Sequence, residues 1–166
     1  DGIDYRQRSK LSDGPELYKK LHEYGIQQLA LRSAGVDSCN LKWAKENGLT
    51  ITNVPSYSPE AVAEMTLTHA MNLLRHIPQF QSRIQKNDYI VTGLRSKEIP
   101  QLTVGIIGVG RIGSTVARIF HDLGATVLGN DLKENDDLRD ILTYTTKEEI
   151  YQKADLITMH VYMSED

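Results

Sequence analysis

Three glycines with the spacing GxGxxG are the first candidates for ligand binding: Gly108, Gly110 and Gly113 in the segment GVGRIG. Because glycine has no Cβ, Gly108 permits a tight turn and Gly110 lets an anion approach the backbone closely. Gly113 would let a following helix lie near a strand, and the free N–H groups at the helix start would hold phosphates. The spacing predicts a dinucleotide site that also includes Arg111 and Ile112. The alternative is a glycine-rich turn required only for packing.

An acidic residue, Asp131, follows at the end of the next apolar run. A carboxylate there would accept hydrogen bonds from both ribose hydroxyls of a dinucleotide and would repel a 2′-phosphate, which favours NAD over NADP. Lys133 would partly offset that repulsion. The alternative for Asp131 is an exposed loop position without a ligand, and Arg111 either contacts a phosphate or is solvated.

The glycine pattern requires a strand before it and a helix after it, and the sequence predicts both. Residues 103–107 read as a compact apolar strand, and an amphipathic helix should follow and end before Gly124. Further strands are predicted at 126–130 and 155–160, with a helix between them that begins at a capping box of Thr146 and Glu149. The weak pattern over 87–102 predicts a loop, and the acidic segment 131–140 predicts a solvated loop.

The first third of the chain alternates strands and helices, which predicts a parallel sheet covered by helices. Helices are expected at 15–24 and 41–47, and strands at 26–33 and 49–54. At Pro55 the pattern changes, and Ser58 is predicted to cap a long helix with Pro59 at its first position. Pro78 should end or kink that helix, and a second helical stretch should reach about Gln85. The broad apolar face of the long helix should pack against a domain or against a second subunit.

The composition excludes several classes of protein. The chain has 166 residues, 40% of them apolar and 25% charged, with 19 basic and 22 acidic side chains. This balance lacks the excess of positive charge that nucleic-acid binding needs. The single cysteine, Cys39, cannot form an intrachain disulfide and suits a reducing cytoplasm. No apolar run is long enough for a membrane span, and the first residues do not resemble a signal peptide. We expect a cytoplasmic protein without nucleic-acid or membrane partners.

Three segments together resemble the NAD-dependent D-2-hydroxyacid dehydrogenases, in particular the D-lactate and D-2-hydroxyisocaproate branch. They are LRSAGVDSCNL (31–41), NVPSYSPEAVAEMTL (53–67) and the cofactor half TVGIIGVGRIG…GATVLGND…ADLITMHV. The resemblance implies a Rossmann-type doubly wound parallel sheet, present in part, plus part of a flavodoxin-like substrate domain. Residues 1–56 would belong to the substrate domain and residues 57–166 to the NAD-binding domain.

The resemblance also implies roles for individual residues. Backbone N–H groups around Ala34, Gly35 and Val36 would bind the substrate carboxylate, with Gly35 allowing the backbone to turn these groups inward. Tyr57 would place its hydroxyl near that carboxylate, or else only pack at the hinge between domains. Tyr5 would touch the substrate side chain.

Two residues at the end of the last strand, His160 and Val161, would line the adenosine side of the cofactor. The other histidines fall within predicted helices and are expected to be structural or exposed: His22, His69, His76 and His121. Two positions depart from the family pattern. Ser33 stands where Asn is common, and Tyr162 stands where a Pro often follows the His-Val pair.

The family's catalytic Arg, Glu and His correspond to positions after Asp166, so we assign no catalytic residue and no metal ligand to this chain. The chain is expected to be a fragment with only three strands of the nucleotide-binding sheet. Uncovered faces and edges should make it poorly soluble by itself.

The parent protein is expected to be an oxidoreductase that transfers a hydride between NADH and a 2-keto acid to give a D-2-hydroxy acid. Pyruvate to D-lactate is the preferred reaction, branched-chain keto acids come second, and a homodimer is expected. One alternative is a relative acting on phosphoglycerate, glyoxylate or formate. Another is a non-catalytic NAD-sensing interaction protein of the same fold.

Overall fold

The computed structural model of the chain describes residues 2–5 and 14–162, with side chains from residue 14 onward. The chain divides into two compact units. The first lies within residues 1–57 and also includes Tyr162, and the second is formed by Ser58–Val161. The division follows Tyr57, whereas the sequence placed it one residue earlier.

The first unit contains a three-stranded parallel sheet in the order β1-β2-β3 and two helices. The elements are β1 (Gly2–Tyr5), α1 (Pro15–Glu23), β2 (Gln28–Leu31), α2 (Leu41–Glu46) and β3 (Thr50–Thr52). Leu29 and Leu31 of β2 are buried with Cys39. The predicted strands and helices all form, although β2 and β3 are shorter than expected and β1 was not predicted.

Tyr18 fixes the position of α2 in this unit. Its ring is 2% exposed and meets Trp43 edge to face, with 6.0 Å between ring centroids. Its hydroxyl accepts a hydrogen bond from the Asn40 N–H at 2.8 Å. The Asn40 side chain in turn caps α2 by accepting from the Trp43 N–H at 3.0 Å. The loop between β2 and α2 is therefore anchored at its α2 end.

The second unit contains a four-stranded parallel sheet in the order β6-β5-β4-β7. Its strands are β4 (Thr103–Ile107), β5 (Thr126–Asn130), β6 (Thr143–Tyr144) and β7 (Leu156–Met159). Its helices are α3 (Pro59–Leu74), α4 (Ile77–Ile84), α5 (Arg111–Asp122) and α6 (Lys147–Lys153), with short 3-10 turns at Ile99–Gln101 and Asp136–Leu138.

Helices cover both faces of this sheet. Successive side chains of a strand point to opposite faces, and Val104 and Ile106 of β4 lie in the larger core with Phe120 of α5. Ile107 points the other way and packs against Ile150 of α6. The parallel sheets with helical layers confirm the predicted α/β class.

The apolar face of α3 divides between the core and the surface. Ala63 and Ala70 are buried, and Leu67 packs against the same core. Met65 and Leu73 on the same helix are 55% and 70% exposed. The expectation that the face packs within its domain is therefore confirmed for part of the helix only.

Two predictions about the ends of α3 were wrong. Ser58 makes no side-chain cap bond, because its backbone is left-handed (φ 37°) rather than extended as capping requires. The helix ends at Leu74, before Pro78. His76 has a left-handed backbone (φ 51°) and separates α3 from α4. Pro78 lies in the first turn of α4, where its missing N–H costs no hydrogen bond. His76 therefore lies between helices and not within one.

The acidic segment and the strand count also differ from expectation. Leu138 is fully buried, so 131–140 is not a wholly solvated loop. Arg139 binds Asp136 at 2.7 Å and Glu134 at 3.1 Å on the exposed side. The two-residue strand β6 pairs with β5 and makes the second sheet four-stranded, so the prediction of three strands was wrong.

Across residues 2–5 and 14–162, none of the helices combines the length and the apolar character needed to cross a membrane.

Candidate functional site

The loop between β4 and α5 turns sharply at Gly108, which has φ +87°. A Cβ at this position would lie 2.7 Å from both the His160 carbonyl oxygen and Val161 Cγ1. The Gly108 N–H donates to the Asn130 carbonyl oxygen at 2.8 Å, which ties the turn to the end of β5. Only glycine combines this backbone conformation with the available space.

Gly113 is required for a different reason. A Cβ there would lie 2.0 Å from the Gly108 carbonyl oxygen, so α5 passes directly against the loop that precedes it. Gly110 has φ −74° and no heavy atom within 4 Å of the position its Cβ would occupy. The packing of this unit therefore explains Gly108 and Gly113 but gives no reason for a glycine at 110. The space in front of Gly110 is open to an external group.

The start of α5 faces that space with unpaired donors. The cap residue Gly110 offers no side-chain acceptor. The N–H groups of Ile112 and Gly113 donate to no acceptor among the described residues. Unpaired N–H groups at the start of a 12-residue helix, with its dipole, favour an anion. Arg111 lies at the first helical position with an exposed side chain.

Asp131 is half-buried at the end of β5 and binds the glycine loop itself. Its Oδ2 accepts a hydrogen bond from the Val109 N–H at 2.6 Å, and its Oδ1 accepts from the Lys133 N–H at 3.2 Å. A carboxylate has about four lone-pair positions, so it can still accept further bonds. The link to Val109 was not expected from the sequence, because it joins the segments that follow two different strands, β4 and β5.

An open cavity of about 520 Å³ adjoins Asp131 at the carboxyl ends of β5 and β6. Its lining is mostly polar and consists of Asn130, Asp131, Glu134, Tyr144, Thr145, Thr146, Lys147 and Glu148. The cavity residues from Tyr144 to Glu148 were not predicted as site residues, because they lie at the end of β6 or directly after it, and β6 was not predicted. The nearest available signal was the capping box predicted at Thr146 and Glu149. The Thr146 hydroxyl accepts from the Glu149 N–H, but the Glu149 carboxylate accepts from the Thr145 hydroxyl and from Lys153, so only half of the predicted box forms.

His160 lies just after β7, at the same edge of the sheet. Its N–H donates to the Ile107 carbonyl oxygen at 2.8 Å, and its Nε2 lies 3.1 Å from the Thr158 hydroxyl. Burial lowers the pKa of His160 and so favours the neutral imidazole. Both His160 and Val161 meet Gly108, and the structure therefore brings them together with the glycine loop.

In the first unit, the segment from Ser33 to Val36 has an unusual hydrogen-bond pattern. The carbonyl oxygens of Ala34, Gly35 and Val36 accept from Asn53 Nδ2 (2.6 Å), the Ser33 hydroxyl (2.8 Å) and the Cys39 N–H (2.9 Å). The N–H groups of the same three residues donate to no acceptor within the described part of the chain. Successive unpaired N–H groups are donors that an anion can satisfy.

The reason given for Gly35 was wrong. Gly35 does not have the positive φ that only glycine adopts easily. The nearest atom to its would-be Cβ is Asp37 Oδ2 at 2.8 Å, the end of a flexible side chain. The backbone conformation at Gly35 therefore does not require glycine, and the neighbouring carbonyl groups are held by the partners named above.

The two tyrosines proposed for the substrate stand apart from this network. Tyr57 is 70% exposed, and its hydroxyl has no hydrogen-bond partner among the described residues. Tyr5 falls in β1, and its side chain lies outside the described residues. No group of three His, Cys, Asp or Glu side chains suited to a metal ion occurs in the described ranges.

Comparisons with known proteins agree on one family. The family model for the D-isomer specific 2-hydroxyacid dehydrogenase, NAD binding domain, matches residues 67–166. A D-2-hydroxyacid dehydrogenase (NAD(+)) of Clostridioides difficile is 44% identical over 99% of this chain and 50% of that protein. A D-lactate dehydrogenase of Streptococcus agalactiae is 43% identical over 97% of this chain and 49% of its own length. The crystal structure of Aquifex aeolicus D-lactate dehydrogenase with NAD and lactic acid is similar with a TM-score of 0.87 at 32% identity, covering 98% of this chain and 48% of that one.

The chain belongs to the D-isomer specific 2-hydroxyacid dehydrogenase family, and residues 67–166 match the model of that family's NAD-binding domain. The family resemblance stated from the sequence is thereby confirmed. The chain spans about half the length of the curated relatives it matches.

Proposed function

We propose that this chain supplies the cofactor-binding site and part of the substrate site of a D-lactate dehydrogenase that reduces pyruvate with NADH. The observation that carries the proposal is the Asp131 carboxylate bonded to the Val109 N–H, beside a glycine loop with open space in front of Gly110. In the strand order β6-β5-β4-β7, the chain adds β5 and β6 on one side of β4 and then β7 on its other side. The order of the strands therefore reverses at β4, and the glycine loop follows β4. In Rossmann-type sheets a dinucleotide binds at this reversal, at the carboxyl ends of the strands.

Individual residues have distinct tasks toward NAD in this proposal. The loop from Gly108 to Gly113 would hold the pyrophosphate through the unpaired N–H groups of α5, with Arg111 as a further phosphate contact. Asp131 would bind the adenosine ribose, and the neutral His160 with Val161 would line the adenosine side. When bound, the cofactor supplies or accepts the hydride.

The substrate carboxylate would bind the unpaired N–H groups of Ala34, Gly35 and Val36, with help from the Tyr57 hydroxyl. Tyr5 would contact the substrate side chain. The first unit would thus be part of the substrate domain and the second part of a doubly wound cofactor domain. The resemblance places the catalytic Arg, Glu and His outside this chain, so the reaction is proposed for the whole protein.

We also propose that the whole protein is a homodimer. The exposed Met65 and Leu73 on α3 support a subunit contact, because apolar surface of this kind is favourable to cover. Light scattering of the whole protein should give twice the mass of one chain. A monomer at all concentrations would refute this part of the proposal.

The function is tested by measuring how fast the whole protein oxidises NADH, from the fall in NADH absorbance. Four substrates are compared: pyruvate, 2-ketoisocaproate, glyoxylate and 3-phosphohydroxypyruvate. The highest kcat/KM is expected for pyruvate, and the product should be oxidised by a D-specific lactate assay only. A preference for glyoxylate or the phosphorylated keto acid would refute the substrate assignment. NADH binding without turnover of any keto acid would favour the NAD-sensing alternative.

A further inference from the structure

Three successive peptide groups in the loop from Ser33 to Val36 each have a separate anchor. The carbonyl oxygens of Ser33, Ala34 and Gly35 accept from the Val54 N–H (3.1 Å), Asn53 Nδ2 and the Ser33 hydroxyl. Two of these three anchors are side chains rather than main chain. Asn53 has no role among the site residues predicted from the sequence, and Ser33 is named there only as a departure from the family pattern.

We infer that Asn53 and Ser33 are positioning residues, which hold the loop so that its N–H groups face the substrate carboxylate. This inference rests on the proposed function. A trans peptide is planar, and its C=O and N–H groups point in opposite directions. No cis peptide occurs among the described residues. Holding the Ala34 carbonyl toward Asn53 therefore turns the Gly35 N–H the opposite way.

The same geometry applies to the two neighbouring peptides. The Ser33 hydroxyl holds the Gly35 carbonyl and so directs the Val36 N–H. The Val54 N–H holds the Ser33 carbonyl and so directs the Ala34 N–H. All three donors proposed to bind the carboxylate are thus oriented through the carbonyl at the other end of the same peptide.

Asn53 reaches the loop because of the sheet topology. β2 and β3 are adjacent parallel strands, so the segments that follow them leave the same edge of the sheet. Ser33 and Ala34 follow β2, and Asn53 and Val54 follow β3. The Asn53 side chain is exposed and has no other hydrogen bond among the described residues. Core packing therefore does not explain the presence of Asn at position 53.

The test uses steady-state kinetics of the whole protein with pyruvate and NADH. Asn53→Ala should raise the KM for pyruvate about tenfold, the effect of misaligning one hydrogen bond to a charged group. kcat should change less, because this binding is made in the ground state and the transition state alike. The KM for NADH should stay within about twofold, since the cofactor site lies on other residues. Ser33→Ala should change the same parameters in the same direction.

The matched control is Asn47→Ala. Asn47 also donates from Nδ2 to a backbone carbonyl, that of Trp43 at 2.9 Å, in the same unit but away from the loop. It should leave the KM for pyruvate unchanged. Methyl pyruvate, which lacks the charge, should distinguish the wild type from Asn53→Ala less than pyruvate does.

An unchanged pyruvate KM in both Asn53→Ala and Ser33→Ala, with an active wild type, would overturn the positioning role alone. An equal rise in the KM for pyruvate and for NADH, or the same rise in Asn47→Ala, would also overturn it, because a general loss of structure would then explain the effect. A wild-type protein that reduces no 2-keto acid would refute the proposed function instead.

Discussion

Gly110 and Gly113 lie near each other at the start of α5, but the space around them differs. A Cβ on Gly113 would lie 2.0 Å from the Gly108 carbonyl oxygen. A carbon and an oxygen in close contact are normally about 3.3 Å apart. Gly113→Ala therefore requires a displacement of about 1.3 Å between α5 and the glycine loop. Both atoms belong to or are fixed on the backbone, so no rotation of a side chain can relieve the clash.

The helix cannot make this shift freely, because its inner face is fully packed. Val116, Ala117 and Phe120 are at most 1% exposed, and protein interiors are packed as densely as organic crystals. Overpacking costs typically about 1–3 kcal/mol, and we expect about 3 kcal/mol here because backbone must move. At about 2–4 °C per kcal/mol for a chain of this size, the Tm should fall by about 6–12 °C.

Gly110→Ala is the matched control. Its Cβ would meet no heavy atom within 4 Å, and its φ of −74° suits alanine. The loss of a favourable cap residue and the lower entropy of the unfolded chain should offset each other within about 1 kcal/mol. The melting temperature should therefore change by less than about 4 °C. NADH affinity should fall about tenfold or more, because the added methyl group occupies the space proposed for the pyrophosphate.

Differential scanning calorimetry of the two variants and the wild type gives the melting temperatures, and isothermal titration gives the NADH affinities. A Gly113→Ala protein with the same melting temperature as the wild type would refute the packing argument. A Gly110→Ala protein that binds NADH as the wild type does would refute the pyrophosphate site and leave the packing argument intact.

Three further predictions concern single side chains. Asp131→Asn should reduce the preference for NADH over NADPH while keeping an acceptor for the glycine loop, and Asp131→Ala should weaken NADH binding far more than NADPH binding; an unchanged ratio of the two dissociation constants would contradict this. The Lys97 ammonium holds the pKa of Asp155 below its usual value, so Asp155 stabilises the folded state at neutral pH and loses this effect as the pH falls through the lowered pKa. Asp155→Asn should therefore reduce the urea midpoint at neutral pH and approach the wild type in acid; a constant difference at every pH would count against it. Tyr18→Phe should destabilise the first unit by about 1–3 kcal/mol in urea unfolding, because the Asn40 N–H loses its acceptor, and an unchanged midpoint would show that the bond is replaced.

The sequence predicted most elements because their signals are local. The apolar run of β4, the glycines after it and the amphipathic pattern of α5 lie within about 20 consecutive residues, so short-range preferences suffice. β6 has only two residues and no period to detect. Ser58 carried every local sign of a cap, but its left-handed backbone removed the geometry that a cap needs.

The candidate sites show the same contrast between features that local sequence signals predict and features that only the folded chain shows. Residue types and spacing predicted where a dinucleotide loop should lie, because glycine and helix-start chemistry is local, whereas the carboxylate-binding loop was proposed from the family resemblance. Only the tertiary structure decided that Asp131 holds the Val109 N–H and that Asn53 holds the Ala34 carbonyl. Each of these bonds joins the ends of two adjacent parallel strands that are about 20 residues apart in the chain. Such contacts depend on strand register, which arises only when the whole sheet forms.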